Sequence, residues 1–305
     1  MLINKKIMST WDFISEVFAK FIDDKAPKFG ASLSFYTIFS LAPILLILIA
    51  LTGLLFGNDV ARGVILTQIR DVIGSDGARI IRTALRKSTY SYENTLTIIF
   101  SLVTILIGST VVFADLQESL NLIWKVKPAP GRGIIKGFIL DRSVSFLMIL
   151  LSGFILLLSL LASAAIQAFK DFFNEQFFTI PISLIEAGNM VISFLIIFFL
   201  FVLIFKFLPN VLIEWKHVWV GALFTTILFA LGKYLIGIYL TTSSMKSSYG
   251  AAGSLVVFLI WIYYSTQIFF LGAEFTQVYA EKFGDGIKPR PGFIKFFDDS
   301  NPIES

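Results

Sequence analysis

Lys233 lies inside an apolar run from His217 to Leu240, and Tyr264, Gln267 and Glu274 share one helical face of another run, Gly250 to Glu274. A charged side chain at the centre of a bilayer costs about 2.5–3.5 kcal/mol or more unless it is paired or hydrated. Residues of this kind therefore mark a path for a polar or charged substrate. Lys233 is sixteen residues past His217, roughly 24 Å along a helix at 1.5 Å per residue. Ala222, Thr226, Ala230 and Gly237 form a stripe of small residues on its face, suited to close helix packing or to lining a cavity. Its ammonium can attract an anionic group inward or snorkel to the headgroups, and the sequence leaves both open.

Glu274 is twenty-four residues past Gly250, roughly 36 Å along, at the other boundary of its span. Asp115, Glu118, Arg142 and Lys206 end or begin spans at similar depth, so an inner charged layer of these five residues is expected. It reads either as a gate or coupling site or as a helix-end salt-bridge network at headgroup level. Pro43 cannot donate to the Phe39 carbonyl and follows Ser34, Thr37 and Ser40, which predicts a kink that exposes backbone to a substrate or only bends the helix. The expected substrate path is thus Lys233, Tyr264, Gln267, Glu274 and Pro43.

Other chemistry finds little support. The chain of 305 residues has no cysteine and one histidine, His217, which removes disulfides, thiolate metal sites and any constellation needing two imidazoles. Gly131-Arg132-Gly133 lacks the preceding strand and following Lys-Ser/Thr of a phosphate-binding loop. Asp23-Asp24 and Asp298-Asp299 are surface pairs without evident partners for a divalent ion. No catalytic residue, metal or cofactor is expected, and the protein is read as a non-enzyme.

These residues must be positioned by transmembrane helices. The chain is 56% hydrophobic and 15% charged, and six stretches can cross a bilayer: Leu33–Gly57, Thr95–Ala114, Ser143–Phe169, Asn189–Leu208, His217–Leu240 and Gly250–Glu274. Runs such as Ile192–Phe205 are apolar on every side, unlike the alternating strands of a barrel. The fold class is therefore all-α, a polytopic helical bundle. With both termini on one side, that side collects sixteen Lys and Arg residues against eight opposite, Lys233 completing the 25. The positive-inside rule makes that side cytoplasmic. The net charge of +4 reflects these loops and implies no nucleic-acid partner. About thirty polar and amphipathic residues precede the first span, so no cleaved signal peptide is expected.

One transmembrane domain is expected over residues 1–283. An amphipathic helix over about 9–24 carries Trp11, Ile14, Phe18 and Phe21 on one stripe, and lies on the cytoplasmic surface. An extracytoplasmic amphipathic region is expected over 58–94, with Val60, Val64, Ile65, Ile69, Val72 and Ile73 on one face. Pro289, Pro291 and Pro302 predict a mobile cytoplasmic tail over 284–305.

Ala31-Ser-Leu-Ser-Phe-Tyr36 leading to Pro43, Asn121 to Trp124, Phe207-Leu-Pro209-Asn210, Trp215-Lys-His217-Val-Trp219-Val-Gly221-Ala222, Tyr249-Gly250 and Leu271-Gly272-Ala273-Glu274 follow one another in this order. Together they resemble the YihY/BrkB family of bacterial inner-membrane proteins, from about Asp12 to Lys282. The resemblance implies six helices, the bacterial cytoplasmic membrane, and in some members a link to virulence or serum resistance. The family's old label, ribonuclease BN, finds no zinc-ligand spacing or histidine cluster in this sequence. Some relatives look like participants in the movement of envelope lipid or lipopolysaccharide precursors. The resulting expectation is a transporter or flippase of an amphipathic, anionic envelope molecule. A membrane scaffold for envelope assembly is the rival reading, and a membrane-embedded enzyme comes third. The expected partners are membrane lipids and such a substrate; oligomeric state is open.

Overall fold

The Phe13, Val17 and Lys20 positions of an amphipathic first helix, Thr10–Asp23 (α1), are set three or four residues apart and face one neighbour. The structure, a computed structural model, describes residues 10–56, 63, 66, 82, 95–133, 137, 139–155, 158, 182–242 and 253–295. Six further helices follow among them: Ala26–Phe56 (α2), Thr95–Ile123 (α3), a helix over 139–155 (α4), Ile182–Phe207 (α5), Trp215–Thr242 (α6) and Gly253–Phe283 (α7). The expected amphipathic region 58–94 lies outside the described residues apart from 63, 66 and 82, as do residues 296–305 and most of 156–169.

The chain is mostly helical, as its composition requires. Three described segments are long and apolar enough to cross a membrane: Met190–Phe207, Trp215–Ile236 and Phe258–Phe283. The 31 residues of α2 extend about 46 Å at 1.5 Å each, and the helix continues through Pro43.

α7 organises the packing, with α1, α2 and α6 against it, while α2 also packs on α3 and α5 on α6. Glycines allow the closest approaches. A Cβ on Gly221 of α6 would overlap the Thr276 side chain of α7, and one on Gly272 of α7 would overlap Thr225 of α6. Each helix thus presents a glycine and, four residues on, a threonine, and the antiparallel pair interlocks them. The hydroxyls are satisfied within their own helices, Thr225 donating to the Gly221 carbonyl and Thr276 to the Gly272 carbonyl, both at 2.7 Å. The buried core includes Leu120 and Trp124 at the end of α3, Phe205 and Leu208 at the end of α5, and Phe269 and Phe270 of α7.

α1 rests on α7 through Phe13, whose ring meets Phe275 edge-on at 5.3 Å, and through the ion pairs Lys20–Glu281 at 2.7 Å and Glu16–Lys282. Its other face leaves Trp11, Ile14, Phe18 and Ile22 exposed. Phe21 departs from the expected stripe by packing against the core.

Two small antiparallel sheets depart from a purely helical reading. β1 (Val126–Pro128) pairs with β4 (Phe293–Lys295) in the register Val126↔Lys295, and β2 (Val211–Leu212) pairs with β3 (Lys288–Pro289). Residues 284–295, expected as the start of a mobile tail, are therefore folded back on the helix ends. Arg290 fastens them by donating to the carbonyls of Lys206, Phe207 and Val211 at 3.2, 3.5 and 3.1 Å. These include orphan carbonyls at the end of α5, where a cation is favoured by the helix dipole. Burial lowers the Arg290 pKa from its ordinary value, and the cluster of carbonyl acceptors offsets that loss of hydration.

Candidate functional site

α3 presents Ala114, Gln117, Glu118, Asn121 and Leu122 on one face, spaced three or four residues apart, and this face forms one wall of a pocket of about 380 Å³. Lys127 and Pro128 of β1, Asp141 and Arg142 of α4, Asn210 and Phe293 close the remaining sides. Two of its polar residues hold the frame. Gln117 donates to the Leu208 carbonyl at 2.8 Å, and the Asn121 side-chain oxygen accepts from the Asn210 amide at 2.8 Å. The link from α5 to α6 is thereby pinned to α3.

The charged lining is of both signs. Arg132 grips Asp141 with two hydrogen bonds of 2.9 and 3.1 Å and lies over the Phe293 ring at 4.3 Å. Arg142 donates to Thr110 at 3.1 Å. Glu118 lines the pocket as an exposed carboxylate. A polar cavity with both carboxylates and cations can hold a ligand that itself carries charges of both signs.

Of the five residues expected in one inner layer, Glu118 and Arg142 line this pocket, and Asp115, Lys206 and Glu274 do not. Asp115 accepts from Ser32 of α2 at 3.1 Å. Lys206 donates to the Ile213 carbonyl at 2.5 Å and sits 4.9 Å from the Trp215 ring centre. Glu274 is 0% exposed, and among the described residues neither carboxylate oxygen has a hydrogen-bond partner. Around it lie Asp24 and Lys20 of the α1 end, Lys125 after α3, and Glu281. The Trp124 indole, one residue from Lys125, donates to the Ala273 carbonyl at 3.1 Å.

Lys125 and Lys25 both have positive φ, 55° and 58°. Each ends a helix with the same bond, from its own amide to the carbonyl three residues back. The Lys125 ammonium pairs with Asp24, which ties the ends of α1 and α3 beside Glu274.

The expected path residues have different neighbours. Gln267 nests against Gly30 of α2, and Tyr264 against Gly232 of α6. Lys233 is exposed, between exposed Leu231, Tyr234 and Leu235. Its stripe of small residues splits, Ala222 and Thr226 being buried while Ala230 is exposed. Pro43 lies within α2.

Gln117, Lys127, Asp141 and Phe293 are site residues that the sequence alone does not single out. The helical spacing of 117, 118 and 121 was the available signal for the α3 wall. Phe293 joins through a strand pairing that no local pattern announces.

A family model described as virulence factor BrkB matches residues 17–293. The chain is similar to a UPF0761 membrane protein of Psychrobacter sp. (strain PRwf-1), 26% identical over 301 residues, covering 96% of this chain and 53% of the relative. One from Glaesserella parasuis serovar 5 is 27% identical over 181 residues, covering 59% and 61%. One from Pseudomonas paraeruginosa is 23% identical over 256 residues, covering 83% and 59%. The matches thus span between half and two thirds of these relatives' length. No solved structure matches.

Proposed function

This chain belongs to the virulence factor BrkB family, whose curated relatives are named membrane proteins, and from that premise we propose that it moves or flips an amphipathic, anionic envelope molecule across the bacterial inner membrane. No covalent step, cofactor, metal or nucleic acid enters this reading. The observation that carries it is the polar pocket at the ends of α3 and α4, in a chain whose neighbouring helices are apolar enough to span a bilayer. Lys127 and Arg142 supply cations for an anionic group, and exposed Leu122 continues the pocket as an apolar surface.

The proposed arrangement has six spans and both termini in the cytoplasm, supported by the sixteen-to-eight distribution of Lys and Arg. Reporter fusions at Gly284 and Pro130 are expected to read cytoplasmic, and one near Ser75 outside. A periplasmic signal at Gly284 would overturn the arrangement.

Transport itself is tested in vesicles reconstituted with the purified chain and a headgroup-labelled phospholipid. A membrane-impermeant quencher added outside is expected to reach label from both leaflets in protein-containing vesicles, but only the outer half in empty ones. Equal quenching in the two preparations would favour a scaffold. That second reading draws on two observations: Lys233 is exposed, and Phe201, Phe205, Phe269 and Phe270 pack the interior.

A further inference from the structure

Resting on the reading that this chain transports an envelope molecule, we infer that Glu274 is a proton-binding site whose loading and unloading are part of the transport cycle. Its carboxyl is sealed from solvent, and neither oxygen is partnered among the described residues. The donors around it are spent elsewhere. Lys20 donates to Glu281 at 2.7 Å, Lys125 pairs with Asp24, the Trp124 indole donates to the Ala273 carbonyl at 3.1 Å, and the Gln277 amide turns to Glu281 at 3.4 Å. A bare carboxylate in such a place would bear the full cost of lost hydration, and a buried acid so placed takes up a proton and becomes neutral instead. The proton also gives Glu274 a donor of its own. Gln277 is buried one turn along the same face, and its side-chain oxygen is an acceptor without a partner among the described residues.

The surroundings supply both a reason to hold the proton and a means of releasing it. Lys20 and Asp24 face Glu274 from α1 and its end, Lys125 from the end of α3, and Glu281 from α7 itself. These two cations and two anions are paired with each other, so no net positive charge is left to hold a carboxylate. The other elements packed on α7 meet it differently. α2 brings Phe29 to Phe270 and Gly30 to Gln267, Asp115 of α3 is held by Ser32, and on α6 His217 packs on the Tyr279 ring while Lys216 pairs with Glu214. When Lys20 or Lys125 exchanges its present partner for Glu274, the O–H bond breaks, the electron pair stays on the carboxylate and the proton leaves to water. The exit lies along α7. Glu274, Gln277 and Glu281, at i, i+3 and i+7, share one helical face and run from the sealed interior to the Lys20–Glu281 pair, whose side chains are 29% and 37% exposed.

The test begins with infrared spectroscopy of the full-length protein in lipid near neutral pH, reading the C=O stretch of protonated carboxyls. Exposed glutamates titrate at about 4.3 and exposed aspartates at about 3.9, so they are ionised there and do not contribute. The wild-type chain is expected to show a protonated-carboxyl band that shifts in heavy water, and Glu274→Gln to lose it. Should Glu274→Gln fail to accumulate, glutamate labelled with carbon-13 at its side-chain carboxyl makes the assignment in the wild-type chain, because Glu274 is the one glutamate sealed from solvent among the described residues. A missing band, or one that survives Glu274→Gln or is unmoved by the label, overturns the proton site. Coupling is read in proteoliposomes carrying a trace of headgroup-labelled phospholipid. A gradient of one pH unit is worth about 1.4 kcal/mol per proton, so one-for-one coupling is expected to bias the label about tenfold between leaflets, and a proton ionophore to abolish the bias. A band without bias, while lipid still crosses, overturns the coupling. Crossing without the band sinks the proton site and spares transport, whereas a band with no crossing under any condition sinks transport and spares the proton site.

Discussion

Replacing Gly272 with leucine is expected to strip the protein from the membrane, lowering its abundance through loss of the α6–α7 contact. A Cβ at this position would stand 2.9 Å from both Cβ and Cγ2 of Thr225 and closer still to its hydroxyl. Thr225 is itself fully buried and bonded to the Gly221 carbonyl, so it has no free volume to enter. Overpacking of this kind costs about 1–3 kcal/mol for a small excess and more for a leucine. Because α7 also carries α1 and α2, separation from α6 disturbs most of the described bundle. Gly221→Leu should behave alike, since a Cβ there would stand 2.8 Å from Thr276 Cβ. The measurement is membrane abundance together with thermal stability in detergent. Gly272→Ala is expected to be milder and to be partly rescued by Thr225→Ala, which removes the overlapping atoms. A rescue of about 0.5–3 kcal/mol is the coupling of a contacting pair. Normal abundance of Gly272→Leu would show that the helices do not meet at this glycine.

Glu274→Gln is expected to abolish complementation of a strain lacking the chain while leaving membrane abundance unchanged. Glutamine keeps the length and volume of the side chain and removes its capacity to carry charge. Among the described residues the native carboxyl is completely buried with no hydrogen-bond donor on either oxygen, an expensive placement that packing alone does not need. Lys20 and Lys125, each in an ion pair with Glu281 and Asp24 respectively, lie in its electrostatic neighbourhood. A gate that exchanges these partners would depend on the Glu274 charge, whereas a structural glutamate would not. Full activity of Glu274→Gln removes the residue from the proposed mechanism. Joint loss of activity and abundance assigns it to holding α1 and α3 against α7.

The placement of helices was legible in the sequence because its cause is local. Lipid requires every backbone group to be satisfied within the segment, so the runs Asn189–Leu208, His217–Leu240 and Gly250–Glu274 declare themselves by apolar length and coincide with α5, α6 and α7. The amphipathic α1 was legible for the same reason, its period being carried by fourteen consecutive residues. Glu274 was marked as unusual by its type and position alone.

Facing was another matter. A helix that is apolar all round has no stripe to distinguish lipid from protein, so nothing along α6 showed that Ala222 and Thr226 turn inward while Ala230 and Lys233 lie exposed. The stripe inferred from spacing is geometrically real on the helix, but its neighbours determine which part is covered. The pocket needed more distant information still. It joins α3 to Asn210 and to Phe293, and the strand pairing that brings Phe293 in, Pro128↔Phe293, is too short to leave an alternating pattern. The sequence by itself determined that this protein is a bundle of membrane-length helices with an amphipathic first helix, because hydrophobic length and period are properties of contiguous residues. The tertiary structure alone decided that Glu118 and Arg142 share a pocket, that Glu274 is sealed inside and that Arg290 ties residues 284–295 to the end of α5, because each depends on contacts between segments far apart in the chain.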